Sequence, residues 1–300
     1  MSGGPRVGLI GPGRWGRLIL RDMVALGAEV HAVAQTLQSA EAASAAGAEE
    51  VVGSIEELAA LDGYVVATPE QTHLEVVESL LPRGRPIFVE KPLDVDIPRA
   101  EALPAAAHRL VFVMHKWRYH PGIEALAQIA ASRELGAVQG LMLERVGPTS
   151  PERKVSQIWV LAPHDLSIAL HILGETPRLV WAAPHPVGRP GAGVMALLET
   201  LAGVRVSLNI AVGVPAPRRN MVLACADGAA QLDDPMADHV KILKPGGELE
   251  LRPISTELPL LRELRVFLEH LGGGPAPMTR LAEELVILRT VDALARAAEG

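Results

Sequence analysis

The chain has 300 residues, enough for about two domains, and its 49% hydrophobic and 21% charged content is that of a globular protein with a sizeable core. Lys and Arg number 28 against 35 Asp and Glu, a net charge of −7 with no long basic run, which argues against a nucleic-acid surface that would need clustered cations to neutralise phosphates. No uninterrupted apolar run approaches the ~18–20 residues of a membrane helix. The N-terminal MSGGPRVGLIG has no basic segment followed by a long apolar core, so no secretion signal is expected. The single cysteine, Cys225, cannot form an internal disulfide and fits a reducing, cytoplasmic setting. In the strand-like MVLACA it reads as a small buried hydrophobe.

In chain order, Val7, Leu9 and Ile10 form a short apolar strand, followed by Gly11-Pro12-Gly13-Arg14-Trp15-Gly16 and a helix through LILRDMVALG. Such a strand–GxGxxG–helix unit binds a dinucleotide: the first glycine turns off the strand, the second admits a pyrophosphate to the backbone, and the third lets helix and strand pack closely. The phosphates rest on the unpaired N–H groups at the helix start. Glu29–Ala34 is a second buried strand ending at Gln35, and Ser39–Gly47 an Ala-rich helix. Ser54-Ile55-Glu56-Glu57 has capping-box spacing and predicts a short helix to Leu61. Tyr64–Ala67 is a further strand, followed by Thr68-Pro69-Glu70-Gln71-Thr72-His73 and a helix to about Leu81. Pro86–Val89 leads into Glu90-Lys91-Pro92; a helix near Arg99–Ala107 and the strand Leu110–Met114 follow. Apolar strands alternating with helices imply a doubly wound parallel sheet, an α/β Rossmann domain spanning residues 1–118.

Residues 119–300 read differently. Pro121–Leu135 is helical, Ala137–Arg145 a long strand, and His164–Leu173 a helix closed by Gly174. LVWAA, VMALLET, VRVSLNI, NMVLACA, VKILK and ELEL are strand-like pieces separated by Gly and Pro, and Leu258–Leu271 and Leu281–Ala298 close the chain as helices. Strands following strands predict an α+β domain with an open, mostly antiparallel sheet that leaves one face for a partner subunit, the C-terminal helix being free to pack back on the first domain. The open face favours a homodimer or homotetramer.

A crevice at the carboxyl ends of the first sheet's strands would collect Gly11–Gly16, Thr68–His73 and Glu90-Lys91-Pro92. Lys91 there could hold a substrate oxygen or move a proton, or simply pair with Glu90; position alone does not separate these. GPGRWG, VATPEQTH (66–73), VEKPL (89–93), RYHP (118–121) and PHDLSIALHILG (163–174) together resemble the Gfo/Idh/MocA oxidoreductase family in order and spacing, with the weakest match over 180–255. The resemblance implies hydride transfer between a nicotinamide and a carbinol or carbonyl carbon of a sugar, cyclitol or nucleotide-sugar. It implies that Lys91 is the active-site lysine, His164 the general acid/base, and Arg118, with Tyr119 and Asp165, close to substrate. Cofactor contacts are expected from Gly11, Pro12, Gly13, Arg14, Trp15, Gly16, Gln35, Thr36, Thr68, Pro69, His73, Glu90 and Lys91.

One departure matters. The family's aspartate four residues before the histidine is Val160 here, and the usual aspartate three residues after it is Ser167. An imidazole lacking a carboxylate has a less stabilised cation and a looser orientation. Asp165, adjacent on a helix, does not face His164. Rival readings are an NADPH-dependent imine or conjugated-system reductase, and a non-catalytic NAD(P)-binding sensor or scaffold. A metal site from His164, Asp165 and His171 is disfavoured, because no compact ligand motif is present. His115 and His120 serve either the cleft or the core. Arg218, Arg219 and Asn220 either meet an anionic or nucleotide-linked substrate or decorate a strand edge. At the end of the second strand Gln35, rather than a carboxylate, would not repel a 2′-phosphate, and Thr36, Gln38, Ser39 and Arg14 could bind it. NADP(H) is therefore expected to be preferred or tolerated, with NAD(H) also admitted.

Overall fold

The chain is described by a computed structural model covering residues 3–148, 156–187 and 191–299. It divides into two compact units, Met1–Lys116 with Leu258–Leu285, and Trp117–Glu257 with Val286–Gly300. The first unit begins β1 (Arg6–Ile10), α1 (Gly16–Ala25), β2 (Glu29–Val33), α2 (Leu37–Ala45), β3 (Glu50–Val52), β4 (Gly63–Val66) and α3 (His73–Leu80). It continues through β5 (Ile87–Glu90), α4 (Ile97–Glu101), α5 (Ala107–Leu110) and β6 (Val111–Met114). The six strands form one parallel sheet in the order β3-β2-β1-β4-β5-β6. Nearly every residue of β1, β2, β4 and β6 is buried, because helices must cover both faces of a parallel sheet. Strand order reverses between β1 and β4, and a dinucleotide crevice opens at such a switch point.

The second unit contains α6 (Pro121–Ser132), β7 (Val138–Gly147), α7 (Gln157–Leu173), β8 (Arg178–Pro184), β9 (Gly193–Glu199), β10 (Arg205–Val212), β11 (Arg218–Cys225), β12 (Gly228–Leu232), β13 (His239–Leu243) and β14 (Leu249–Pro253). Its sheet runs β14-β13-β12-β11-β7-β10-β9-β8, antiparallel except where β7 pairs parallel to β10. One face buries Leu141, Leu143, Leu208, Ile210 and Leu223, with α6 and α7 packed on the sheet. On the other face a cross-strand row runs from Trp181 through Leu197, Ser207, Met142 and Val222 to Leu251, in which Trp181, Met142 and Leu251 are exposed. Cys225 is buried on the covered face, and that burial pushes its thiol pKa up.

Several expected elements take another form. No helix spans 54–61: Arg83 donates to the carbonyls of Ile55 (2.5 Å) and Leu58 (3.2 Å), and Glu57 accepts from the Gly53 N–H rather than capping a turn. The single helix near 99–107 is two short ones, interrupted around Pro104, with Asp96 accepting the Arg99 N–H at the start of α4. Pro163 lies inside α7, which starts at Gln157. The short strands β3 and β12 were not legible in the pattern. Gly174 does adopt the left-handed C-cap expected of it, φ 78°.

The last two helices are α8 (Pro259–Leu271) and α9 (Leu281–Glu299). Although α8 follows the second domain in sequence, it belongs to the first unit, where Leu260, Leu264, Phe267 and Leu268 enter the core with Leu9, Ile19, Met23 and Phe88. Their spacing places them on one helix face. Phe267 stacks on Phe88 with ring centroids 4.9 Å apart and is fully buried. Phe267→Ala is expected to lower the stability of this unit by about 3–5 kcal/mol in denaturant titrations, through lost transfer energy plus a cavity; a loss under about 1 kcal/mol would show that α8 is not part of that core.

Candidate functional site

The glycine loop separates three roles by geometry. Gly11 sits at φ +90°, and a Cβ there would lie 2.8 Å from the Thr68 backbone nitrogen. At Gly16 a Cβ would come within 2.2 Å of the Gly11 carbonyl oxygen, so the start of α1 lies directly against the end of β1. Around Gly13 nothing lies within 4 Å of that position, leaving the backbone open to a ligand. Tight turn, close packing and open cradle therefore fall on the three glycines that a pyrophosphate needs, and a dinucleotide fits the residues present. Gly13 donates to the Gly11 carbonyl at 2.8 Å and accepts from Arg17 at 3.0 Å, which holds the loop's shape. Pro12 is buried; Arg14 is exposed; Trp15 is half-buried beneath the Lys116 ammonium, 4.5 Å from its ring centroid.

The Glu90–Leu93 loop after β5 carries Lys91, half-buried, and is pinned at three points within the same unit. Glu90 accepts from the Trp15 indole N–H with one oxygen and from the Lys91 backbone N–H (3.2 Å) with the other. The ring of His73 is buried between two carbonyl oxygens, Nδ1 2.7 Å from that of Pro92 and Nε2 2.8 Å from that of Thr68. Glu284, at the start of α9, accepts the Leu93 N–H at 3.3 Å and binds His115 Nε2 at 2.7 Å, with both side chains fully buried. Glu90 and His73, expected at the cofactor, thus join the glycine loop, the Thr68 loop and the lysine loop into one wall. Thr68 is half-buried and Pro69 exposed, their turn closed by the Thr72 hydroxyl, 2.9 Å from Thr68 Oγ1 and 2.8 Å from the Pro69 carbonyl. No sequence signal identified Glu284, because it lies 191 residues from Leu93.

At the end of β2, Gln35 and Thr36 are exposed. Thr36 caps α2: its hydroxyl accepts the Ser39 N–H (3.2 Å) and bonds the Ser39 hydroxyl (2.9 Å), which lies 2.9 Å from the Thr36 carbonyl. These two hydroxyls are therefore committed to one another, and Gln35, Gln38 and Arg14 remain the exposed donors.

In the second unit His164 is half-buried on α7, one turn after the buried Val160. Its ring meets the Trp117 ring edge-on at 6.4 Å. Asp165 is turned elsewhere: it is buried and holds Arg145 bidentately, at 2.6 Å and 3.0 Å. Arg118 is buried and donates from Nε to the Ser167 hydroxyl at 2.8 Å, so it meets α7, and Tyr119 is buried beside it in sequence. His120 caps α6: Nδ1 accepts the Gly122 N–H at 3.1 Å and Nε2–H faces the Pro235 carbonyl at 2.8 Å. Both His115 and His120 are thus core residues. Arg218 pairs with Glu144 at 3.1 Å and Asn220 accepts from Gln231 at 2.8 Å, whereas Arg219 rests over Trp117, its guanidinium carbon 5.2 Å from the ring centroid. A cleft of about 710 Å³ opens where β7 ends and β11 begins, with Arg218, Arg219 and Asn220 on its wall. Trp117 and Arg145, missed in the sequence, organise this cluster.

The glycine geometry makes a paired prediction. Gly13→Ala should leave the melting temperature almost unchanged but weaken dinucleotide binding at least roughly tenfold in a fluorescence titration, because its methyl group occupies the pyrophosphate's approach. Gly16→Ala should destabilise the fold itself, since the atom in the way is backbone. Equal effects of the two substitutions on stability would contradict this assignment.

Comparison with known proteins follows the same lines. The profile described as "Oxidoreductase family, NAD-binding Rossmann fold", that of Gfo/Idh/MocA proteins, matches residues 5–115. An inositol 2-dehydrogenase of Acidiphilium cryptum is 31% identical over 258 residues, covering 77% of this chain and 75% of the relative. Among solved structures, UDP-N-acetylglucosamine 3-dehydrogenase GnnA from Acidithiobacillus ferrooxidans superposes with a TM-score of 0.85 at 24% identity over 98% of both chains. An oxidoreductase from Agrobacterium radiobacter in complex with NAD+, L-tartaric acid and magnesium gives 0.84 at 18% identity, covering 98% of this chain and 96% of that one. These two likenesses establish the fold. With the dinucleotide cradle, the EKP loop and the inositol 2-dehydrogenase match taken together, the chain belongs to the Gfo/Idh/MocA family of NAD(P)-binding oxidoreductases.

Proposed function

We propose that this protein interconverts a secondary alcohol and a ketone on a sugar-like or cyclitol substrate, with Lys91 and His164 as its catalytic groups. The inositol 2-dehydrogenase relatives support the substrate class, and the pinned Lys91 loop is the observation that carries the reading. A nicotinamide, when bound, supplies or accepts the hydride. Lys91, held by its neighbours at a fixed point after β5, binds and polarises the reacting oxygen; an ammonium there stabilises developing negative charge. His164 exchanges the hydroxyl proton. The family's carboxylate four residues earlier is the apolar Val160 here, and Asp165 holds Arg145.

Lys91→Ala should lower kcat/KM by roughly a hundredfold or more while the dissociation constant of the cofactor changes little. Turnover within about threefold of the parent enzyme would remove Lys91 from the mechanism.

For the cofactor we infer NADP(H) as the preferred form with NAD(H) accepted, supported by Gln35 where a ribose-binding carboxylate would stand. Separate fluorescence titrations with NADPH and NADH should give the smaller dissociation constant for NADPH; tighter NADH binding would reverse the assignment. The exposed row of Trp181, Met142 and Leu251 supports a homodimer or homotetramer joined through this sheet face. The single buried cysteine supports a cytoplasmic setting.

A further inference from the structure

The second unit carries an exposed cation, Arg219, for which no described residue supplies a carboxylate. Arg145 on β7 and Arg219 on β11 are direct cross-strand partners, so their side chains leave the sheet on the same face. Both guanidinium groups reach the Trp117 ring, at 5.4 Å and 5.2 Å from its centroid. Arg145, only 4% exposed, is neutralised by Asp165 through Nε and Nη2, while its buried Nη1 has no acceptor. No carboxylate among the described residues pairs with Arg219. The acids lining the same cleft are engaged: Glu144 holds Arg218 and Asn209, Asp233 holds Lys241, and Asp234 accepts the Met236 N–H.

Among the described residues, two guanidiniums stand beside a single carboxylate, and like charges brought together are unfavourable. Desolvation against the indole, followed by the nearby Arg145 charge, pulls the Arg219 pKa below the ordinary arginine range, although Asp165 partly offsets this. Arg219 still remains charged, as arginine does in proteins. Arg219 is exposed at the cleft, so its guanidinium is open to a ligand, and one that brings its own negative charge offsets the repulsion from Arg145. The indole also restricts the guanidinium's freedom, so less entropy is lost when the fork closes on an anion.

We propose that the substrate carries an anionic group, a carboxylate or a phosphate, received by Arg219 on its Trp117 platform. This rests on the dehydrogenase reading and narrows it. His164 meets the same indole, at 6.4 Å, so an anion on Arg219 lies within a sugar derivative's reach of the proposed acid/base. The ligand is thus an acidic sugar, such as a uronate or a sugar phosphate or diphosphate, rather than a neutral cyclitol.

The test is kinetic and direct-binding work on the full chain, saturated with its preferred nicotinamide. Glucuronate, glucose 6-phosphate and UDP-N-acetylglucosamine are set against glucose and myo-inositol. At least one anionic compound should exceed its neutral counterpart in kcat/KM, or in binding by calorimetry, by roughly tenfold or more. Glucuronate against glucose 6-phosphate tells carboxylate from phosphate. Arg219→Gln should abolish that advantage, Arg219→Lys should restore only part of it, and Arg205→Gln, which removes an equivalent charge from the exposed start of β10, should retain it in full. An anionic preference that survives in Arg219→Gln overturns the proposal, as does absence of any Arg219-dependent anion binding at millimolar concentration. Turnover of neutral polyols without charge preference would remove the anion site and leave the dehydrogenase standing. Arg219-dependent binding without turnover of any compound would do the reverse.

Discussion

The first unit is arranged around a place where a side chain has no room. Gly16 opens α1 with its Cα against the Gly11 carbonyl, and the same turn abuts the Thr68 loop at Gly11. That approach sets how near the helix N-terminus stands to the strand end, which is where a helix dipole and unpaired N–H groups are useful to a phosphate. The parallel sheet supplies the rest of the constraint. Strands that run the same way deliver their following loops to one edge, so GPGRWG, Thr68–His73 and Glu90–Leu93 arrive together despite their separation in sequence.

Pinning of those loops is done by polar groups that bond to backbone as well as to one another. His73 spans the carbonyls of Thr68 and Pro92, Glu90 joins Trp15 to Lys91, and Glu284 fixes Leu93 from a helix at the far end of the chain. Buried groups of this kind are costly unless partnered, so each bond also limits where the loop can go. Catalytic chemistry needs such support, because a reactive ammonium is useful only at a defined position. Some residues expected at cofactor or substrate are buried and hydrogen-bonded to neighbouring loops and helices. His73 bridges the Thr68 and Pro92 carbonyls, and Arg118 donates to Ser167.

In the second unit the charges are organised around one indole. Trp117 accepts a guanidinium from each of two neighbouring strands and the edge of His164, and the carboxylate nearest His164 in sequence is turned to Arg145 instead. A helix places consecutive residues about a third of a turn apart, so His164 and Asp165 belong to different surroundings. Val160, buried, stands one turn back from His164 on the same helix.

By itself the sequence determined the Rossmann half, the position of Lys91 and the cap at Gly174, since hydrophobic period, glycine spacing and turn chemistry act over a few residues. Helices over 258–271 and 281–298 were equally legible from their periodicity. What only the tertiary structure decided was partnership. An amphipathic helix carries no address, so α8 reads as part of the second domain yet completes the core of the first unit. The Ser54–Glu57 capping pattern gave way to Arg83, which takes its carbonyls from outside the segment. The parallel pairing of β7 with β10, the link from Glu284 to Leu93 and the meeting of Arg145 with Arg219 over Trp117 join residues far apart in the chain. Local pattern holds no information about such contacts, because the energy that selects them exists only once the chain has closed on itself.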